Sequence, residues 1–158
     1  MPTSATDTAH FVERFGSALT AAGLARLPSR VFACLLASAD GRMTAAELRE
    51  ALDVSPAAVS GAVRYLQQVH MIHRERERGS RRDVYVVADD AWHDAMINAS
   101  AVYGPLRAAL VEGVGAVGGE RTPAGRRLAL SAEFLDFLSL ELEEVARRWD
   151  KRRAELTR

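Results

Sequence analysis

Cysteine is almost absent: Cys34 is the only one in 158 residues. No disulfide can form within the chain, and a reducing compartment, the cytosol, is the expected setting. Long hydrophobic runs are missing too. Nowhere do eighteen apolar residues follow one another, and the polar stretch from Met1 to His10 lacks a basic segment leading into an apolar one, so neither membrane spanning nor secretion is expected. Net charge is lacking: 21 Lys and Arg balance 21 Asp and Glu. A globally cationic nucleic-acid binder is thereby excluded, and any contact with nucleic acid must come from a local basic surface. No phosphate-binding glycine loop, nucleophile elbow or His-Glu-x-x-His occurs, so an enzyme has no starting residue set. A metal centre would draw on His10, His70, His73 and His93 with Glu133 or Asp136. His70-x-x-His73 has no second ligand pair at zinc spacing, so neither metal nor cofactor is expected.

What is present is the material of an ordinary folded, helix-rich protein. Hydrophobic residues make up 48% and charged residues 27%, which sets the chain apart from disordered sequences, and the length suits one compact folding unit. Phe11, Phe15, Ala18, Leu19 and Ala22 recur at three- and four-residue spacings before Gly23 and predict a first helix. A second begins near Leu27-Pro28-Ser29, placing Val31, Cys34, Leu35 and Ser38 on one stripe and ending at Asp40-Gly41. In that stripe Cys34 reads as a buried structural residue rather than a redox sensor.

Thr44-Ala45-Ala46-Glu47 has the form of a capping box and predicts a short helix to about Leu52. After a tight turn at Asp53-Val54, Ser55-Pro56 supplies an N-cap oxygen and a first-turn proline for the next helix. These two short helices make a helix-turn-helix. On the second, Val59, Ala62, Val63, Leu66 and Val69 face inward. Ala57, Ser60, Gly61, Arg64 and Gln68 face outward, with Tyr65 at the margin. Gly61 costs about 1 kcal/mol against alanine in a helix, so either another helix or a ligand must come close there.

Two runs, Met71 to Arg78 and Asp83 to Val87, flank Gly79-Ser80-Arg81-Arg82 and predict a β hairpin with a basic tip. Alternation places Arg74, Arg76 and Arg78 on one face and Glu75 and Glu77 on the other, and turns Val84 and Val86 inward but Tyr85 and Val87 outward. Arg81, beside the flexible Gly79-Ser80, suits insertion into a minor groove. A solvated charge run is the plain alternative, and its weight falls beside the helix pair.

From Asp90, Trp92, Met96, Ala99, Tyr103, Leu106 and Leu110 predict a long helix that Pro105 bends or divides. Glycines at 113, 115, 118 and 119 then loosen the chain before Thr122-Pro123 restarts it. The final helix carries Leu128, Leu135, Leu138, Leu142, Val145, Trp149 and Leu156 on a near-heptad stripe, with Phe134, Phe137 and Leu140 beside it. Such a stripe pairs with a second copy or packs on the chain's own first helix.

The succession of two helices, the helix-turn-helix from Thr44 to Leu66, the Gly-Ser-Arg-Arg-Asp-Val-Tyr wing at Gly79 to Tyr85 and two trailing helices resembles the MarR family, and within it the GbsR-like branch. The fold class so implied is mainly α with a small β wing, a winged helix-turn-helix with N- and C-terminal dimerisation helices. A polar tail would occupy 1–10, the first helix and DNA-binding region 11–88, and a helical dimerisation region 89–158. The resemblance implies a homodimeric, cytoplasmic transcription repressor reading a near-palindromic site on double-stranded DNA and released by a small amphipathic ligand. It carries recognition contacts onto Ser55, Ala57, Ser60 and Arg64 and a wing contact onto Arg81. The outward face and the basic tip add Gly61, Gln68, Arg78, Ser80 and Arg82. Dimer contacts fall on Phe11, Phe15, Leu138, Leu142, Val145 and Trp149. Trp92, Met96, Tyr103 and Phe137 would wall a ligand cleft, although aromatic residues at helical spacing are ordinarily core. The rival from another class is a winged helix that docks a protein partner instead of DNA. The long glycine-bearing link from Val111 to Gly119 departs from the family pattern.

Overall fold

The computed structural model describes residues 5–77 and 79–157, apart from the side chains of 5, 94 and 96–101. The chain divides into two compact units, Met1–Ala91 and Trp92–Arg158, where length alone suggested one. The first contains helices α1 (Ala5–Ala21), α2 (Arg26–Ala37), α3 (Ala45–Leu52) and α4 (Pro56–Gln68) and strands β1 (Arg42–Thr44), β2 (His73–Arg76) and β3 (Asp83–Val86). The second contains α5, which begins at Ala91 and runs to Ala116, and α6 (Pro123–Leu156).

Helix α1 starts earlier than its apolar stripe predicts, so Ala5 to His10 form its first turns rather than a tail. Asp7 in the first turn complements the helix dipole there. The buried face is Val12, Gly16 and Leu19, one step round from Phe11 and Ala18, which are exposed. Phe11 stacks on half-buried Phe15 with ring centroids 5.4 Å apart. Gly16 lets α2 approach, since a Cβ there would lie 3.1 Å from the Arg30 Cγ, and the Arg30 guanidinium reaches across to the Glu13 carboxylate at 2.6 Å. Helix α2 is buried along its whole middle, from Val31 to Leu35, and is the centre of this unit's core. Its buried Ser29 donates its hydroxyl to the Ala25 carbonyl at 2.8 Å, which satisfies that buried polar group. Burial raises the Cys34 thiol pKa, and the positive charge of Arg30 opposes part of that rise.

The sheet has the order β1-β3-β2, antiparallel throughout, with Arg42 opposite Val86, Thr44 opposite Val84, and Glu75 also opposite Val84. Strand β1 was not foreseen, because three residues between a glycine and a helix cap carry no legible alternation. Val84 and Val86 face the core, and Val87, read as outward, is buried as well. The strand ends at Val86, and Val87 turns to donate its amide to the Gly41 carbonyl at 2.9 Å. Val69, read as inward, is 37% exposed, because α4 ends at Gln68 and Val69 is its C-cap. His70 then adopts a left-handed φ of 57°, and the Met71 amide closes back on the Leu66 carbonyl at 3.0 Å, delivering Met71 and Ile72 into the core.

In the second unit α5 continues unbroken through Pro105, and the expected link from Val111 is helical to Ala116. Only Val117 to Thr122 turns the chain. Gly118 and Gly119 hold φ of 90° and 85°, the Gly119 amide bonds the Val114 carbonyl at 2.9 Å, and Thr122 caps α6 by accepting from the Gly125 amide at 2.9 Å. Gly125 is required there, since a Cβ would collide with the Gly119 carbonyl oxygen. The helices return antiparallel. Arg107 Nε meets Asp136 Oδ1 at 2.9 Å, His93 Nε2 lies 3.5 Å from Asp150 Oδ1, and a Cβ at Gly113 would lie 3.2 Å from Leu128 Cδ1. Those contacts brace α5 on both sides of Pro105, which forfeits one backbone hydrogen bond.

Helix α6 spans 34 residues, roughly 51 Å at 1.5 Å per residue. Its covered seam is Gly125, Leu128, Ala132, Leu135, Ser139, Leu142 and Ala146, leucines alternating with small residues at 3.5-residue spacing. Half a turn round the helix a second apolar face is bare: Leu130 is 73% exposed, Phe134 and Phe137 are each 59% exposed, and Val145 is exposed as well.

Candidate nucleic-acid interface

The helix pair is built by its caps. The Thr44 hydroxyl accepts from the Glu47 amide at 3.2 Å, while the Thr44 amide donates to Glu47 Oε2 at 2.6 Å, a complete capping box. The turn closes through Asp53, in the left-handed region at φ 51°, and the Val54 amide bonds the Arg49 carbonyl at 3.3 Å. Ser55 caps α4 by accepting from the Ala58 amide at 3.2 Å, with Pro56 in the first turn. Leu48, Leu52, Val59, Ala62, Val63 and Leu66 are buried and fix both helices against α2 and each other.

That packing leaves Ser55, Ala57, Ser60, Gly61, Arg64 and Gln68 exposed and Tyr65 half-buried. A Cβ at Gly61 would meet nothing within 4 Å, so no helix of this chain explains the glycine. In the wing the Glu77 amide bonds the Arg82 carbonyl at 3.0 Å, Gly79 holds φ of 77°, and the Ser80 hydroxyl accepts from the Arg82 amide at 3.1 Å. The tip presents Arg81 and Arg82 exposed and Ser80 half-buried, while Arg78 lies outside the described residues.

The acids of this region are largely spoken for, which one sequence could not show. Hydrogen bonds from His73 and Arg42 hold the Glu75 carboxyl below the usual range, at 3.0 Å and 2.7 Å respectively. Asp83 faces Arg74 at 3.4 Å across the β2–β3 pair. Glu47 is held below the usual range by the Thr44 amide first, then by the Thr44 hydroxyl, with Arg82 adding a smaller attraction. Among the described residues no ion pair engages Arg64, Arg76 or Arg81. A neutral chain thus carries a locally positive surface on α4 and the wing, with Glu77 as the remaining exposed carboxylate near the tip.

The other expected residues separate. Phe11, Val145 and Trp149 are exposed, Phe15 and Leu138 are half-buried, and Leu142 is half-buried on the covered seam of α6. Trp92 and Phe137 are exposed and Tyr103 is half-buried, with Phe137 on the face of α6 turned away from that seam; the Met96 side chain lies outside the described residues. Leu130 and Phe134, which sequence reasoning left off the dimer contacts, are exposed apolar residues on the same face as Phe137; their spacing of four and three was the signal. Among the described residues no group of three or more His, Cys, Asp or Glu could hold a metal ion, and no helix is long and apolar enough to cross a membrane.

A capped helix pair, an exposed small-residue face on the second helix and a basic three-stranded wing define a winged helix-turn-helix protein. Family models and a solved structure agree. A family model described as MarR family matches residues 27–83, and one described as MmpR5-like MarR family transcriptional regulator matches residues 90–153. A crystal structure titled as that of a transcriptional regulator superposes with a TM-score of 0.83 at 25% identity, over 92% of this chain and 99% of that one. A mutant of Lactococcus lactis ZitR in apo form matches with a TM-score of 0.37 at 25% identity, over 84% of this chain and 96% of that one. A search of curated proteins returns no match. The chain belongs to the MarR family, whose members are DNA-binding transcription regulators rather than enzymes.

Proposed function

We propose that this protein is a sequence-specific, homodimeric repressor that acts in the cytoplasm by laying α4 in the major groove and the Arg81 tip in the adjacent minor groove. The observation that carries the DNA contact is Gly61: a glycine on the outer face of a buried-core helix, with open space above it, beside exposed Arg64. Small outward residues let a helix backbone approach base edges and phosphates, and the guanidiniums supply the attraction. For the dimer the support is the second apolar face of α6, where Leu130, Phe134, Phe137 and Val145 are exposed in the single chain. This moves the expected contact from Leu142 to the opposite side of the helix. Repression, and its relief by a small amphipathic ligand, rest on the family likeness alone.

Selection of bound duplexes from a random pool, followed by salt titration of the best binder, tests the reading. An inverted repeat with half-sites about 34 Å apart and a steep salt slope is the expected result. Failure to enrich any sequence would favour a protein-docking role. A promoter fusion carrying the selected site, assayed with and without small amphipathic compounds, tests repression and release.

A further inference from the structure

The bare face of α6 carries charge as well as apolar surface, and the charge is ordered along it. At 3.6 residues per turn Arg127, Leu130, Phe134, Phe137 and Glu141 fall within about 80° of arc, and all five are exposed. From the N-terminal end the face is thus positive, then apolar over two turns, then negative. Among the described residues neither Arg127 nor Glu141 makes an ion pair. Farther along the same face Arg148 and Arg152 are met within the helix, by Glu144 at 3.7 Å and Glu155 at 3.2 Å. The unanswered charges are therefore one of each sign, at opposite ends of the apolar patch.

Paired in parallel with a second copy, such a face would set Arg127 on Arg127 and Glu141 on Glu141. Paired antiparallel, it is its own complement. Across a two-fold axis a residue a given number of steps before the axis is level with the residue the same number after it. Arg127 and Glu141 stand seven residues either side of Phe134, and Leu130 and Phe137 stand four before and three after it. One axis at Phe134 therefore sets Phe134 on its own copy, Leu130 beside Phe137 and Arg127 beside Glu141, the last two pairs each made twice. The same axis brings exposed Val145 level with exposed Pro123, eleven residues either side. We infer that two α6 helices cross antiparallel at Phe134, closed at both ends by an Arg127–Glu141 ion pair between protomers. The inference rests on the homodimer reading and gives that dimer its direction and alignment. The apolar centre supplies the affinity, and the charges exclude the parallel arrangement by like-charge repulsion.

Charge reversal is the test. Arg127→Glu and Glu141→Arg are made singly and together in the full chain, and the dimer dissociation constant is measured by sedimentation equilibrium at low and high salt. Either single reversal turns two attractions into two repulsions and should raise that constant roughly 10- to 30-fold at low salt, and less at high salt. The double reversal restores both pairs with their signs exchanged and should bring the constant back toward the wild-type value. Single reversals without effect, or a double reversal no tighter than the singles, would overturn the inference. Should a reversal variant fail to fold, oxidative crosslinking still decides. Phe134→Cys, on the axis, should form a disulfide between protomers, whereas Glu141→Cys, about 21 Å along the helix from its own copy, should not. The wild type, with only the buried Cys34, is the control. A disulfide through Glu141→Cys, or none through Phe134→Cys, would contradict the antiparallel crossing. A wild-type chain that sediments as a monomer refutes the dimer reading itself, whereas a wild-type dimer that no reversal weakens keeps that reading and removes this alignment.

Discussion

Replacing Gly61 by alanine should stabilise the protein and weaken its hold on DNA. Within a helix interior glycine costs about 1 kcal/mol against alanine, through the backbone freedom it surrenders on folding. At most helix contacts that gain would be offset by crowding, but a Cβ at Gly61 enters open space, so no repacking opposes it. For a chain of this size about 1 kcal/mol raises Tm by roughly 2–4 °C. Against DNA the same methyl group stands between α4 and the groove. If the backbone closes to contact there, an overfilled interface costs about 1–3 kcal/mol, which is roughly 5- to 150-fold in Kd. Urea unfolding and anisotropy titration on one preparation measure both. A loss of stability would mean that Gly61 packs against protein, and a stability gain with unchanged Kd would mean that nothing approaches α4 at this position. Either result refutes the reasoning.

Arg64→Ala with Arg81→Ala should lower DNA affinity and reduce the salt slope by about 1.8 per protomer while leaving unfolding unchanged, because among the described residues neither guanidinium makes an ion pair. Thr44→Ala should cost about 1 kcal/mol at neutral pH by removing the α3 cap. The sign with pH follows from Glu47, whose folded-state pKa is depressed by the Thr44 amide and hydroxyl. Its contribution is complete above the ordinary glutamate range and is lost as pH falls through the depressed value, so the Thr44→Ala penalty shrinks on acidification. Urea unfolding at neutral and acid pH checks this, and a penalty that grows in acid contradicts it. Phe134→Asp with Phe137→Asp should convert dimer to monomer in sedimentation equilibrium, whereas Leu142→Ala should lower stability and spare the oligomer; the opposite pattern would return the interface to the seam side of α6.

The separation between legible and illegible features follows the range of the interactions. Thr44 with Glu47, Ser55 with Pro56, and Thr122 with Pro123 act within four residues, and each cap stands where its residues predict. The buried side of α4 was likewise written in its own periodicity, up to the point where the helix stops short of Val69. The outer helices were misread wherever small residues carry packing. Gly16 on α1, and Gly125, Ala132, Ser139 and Ala146 on α6, are contact positions that a count of large apolar residues passes over. The result was a second apolar surface read as lying beside the first on α6, where the two lie on opposite faces.

By itself the sequence determined the order of helices, their caps, the basic hairpin and hence the class of protein, because those depend on neighbours along the chain. Only the tertiary structure decided that a third strand joins the wing, that Val87 is buried, that Gly61 faces open space, which side of α6 is bare, and that Arg42 meets Glu75 across the sheet. Each of these is a meeting of residues far apart in the chain, and a single sequence records the partners of such a meeting without recording that they meet.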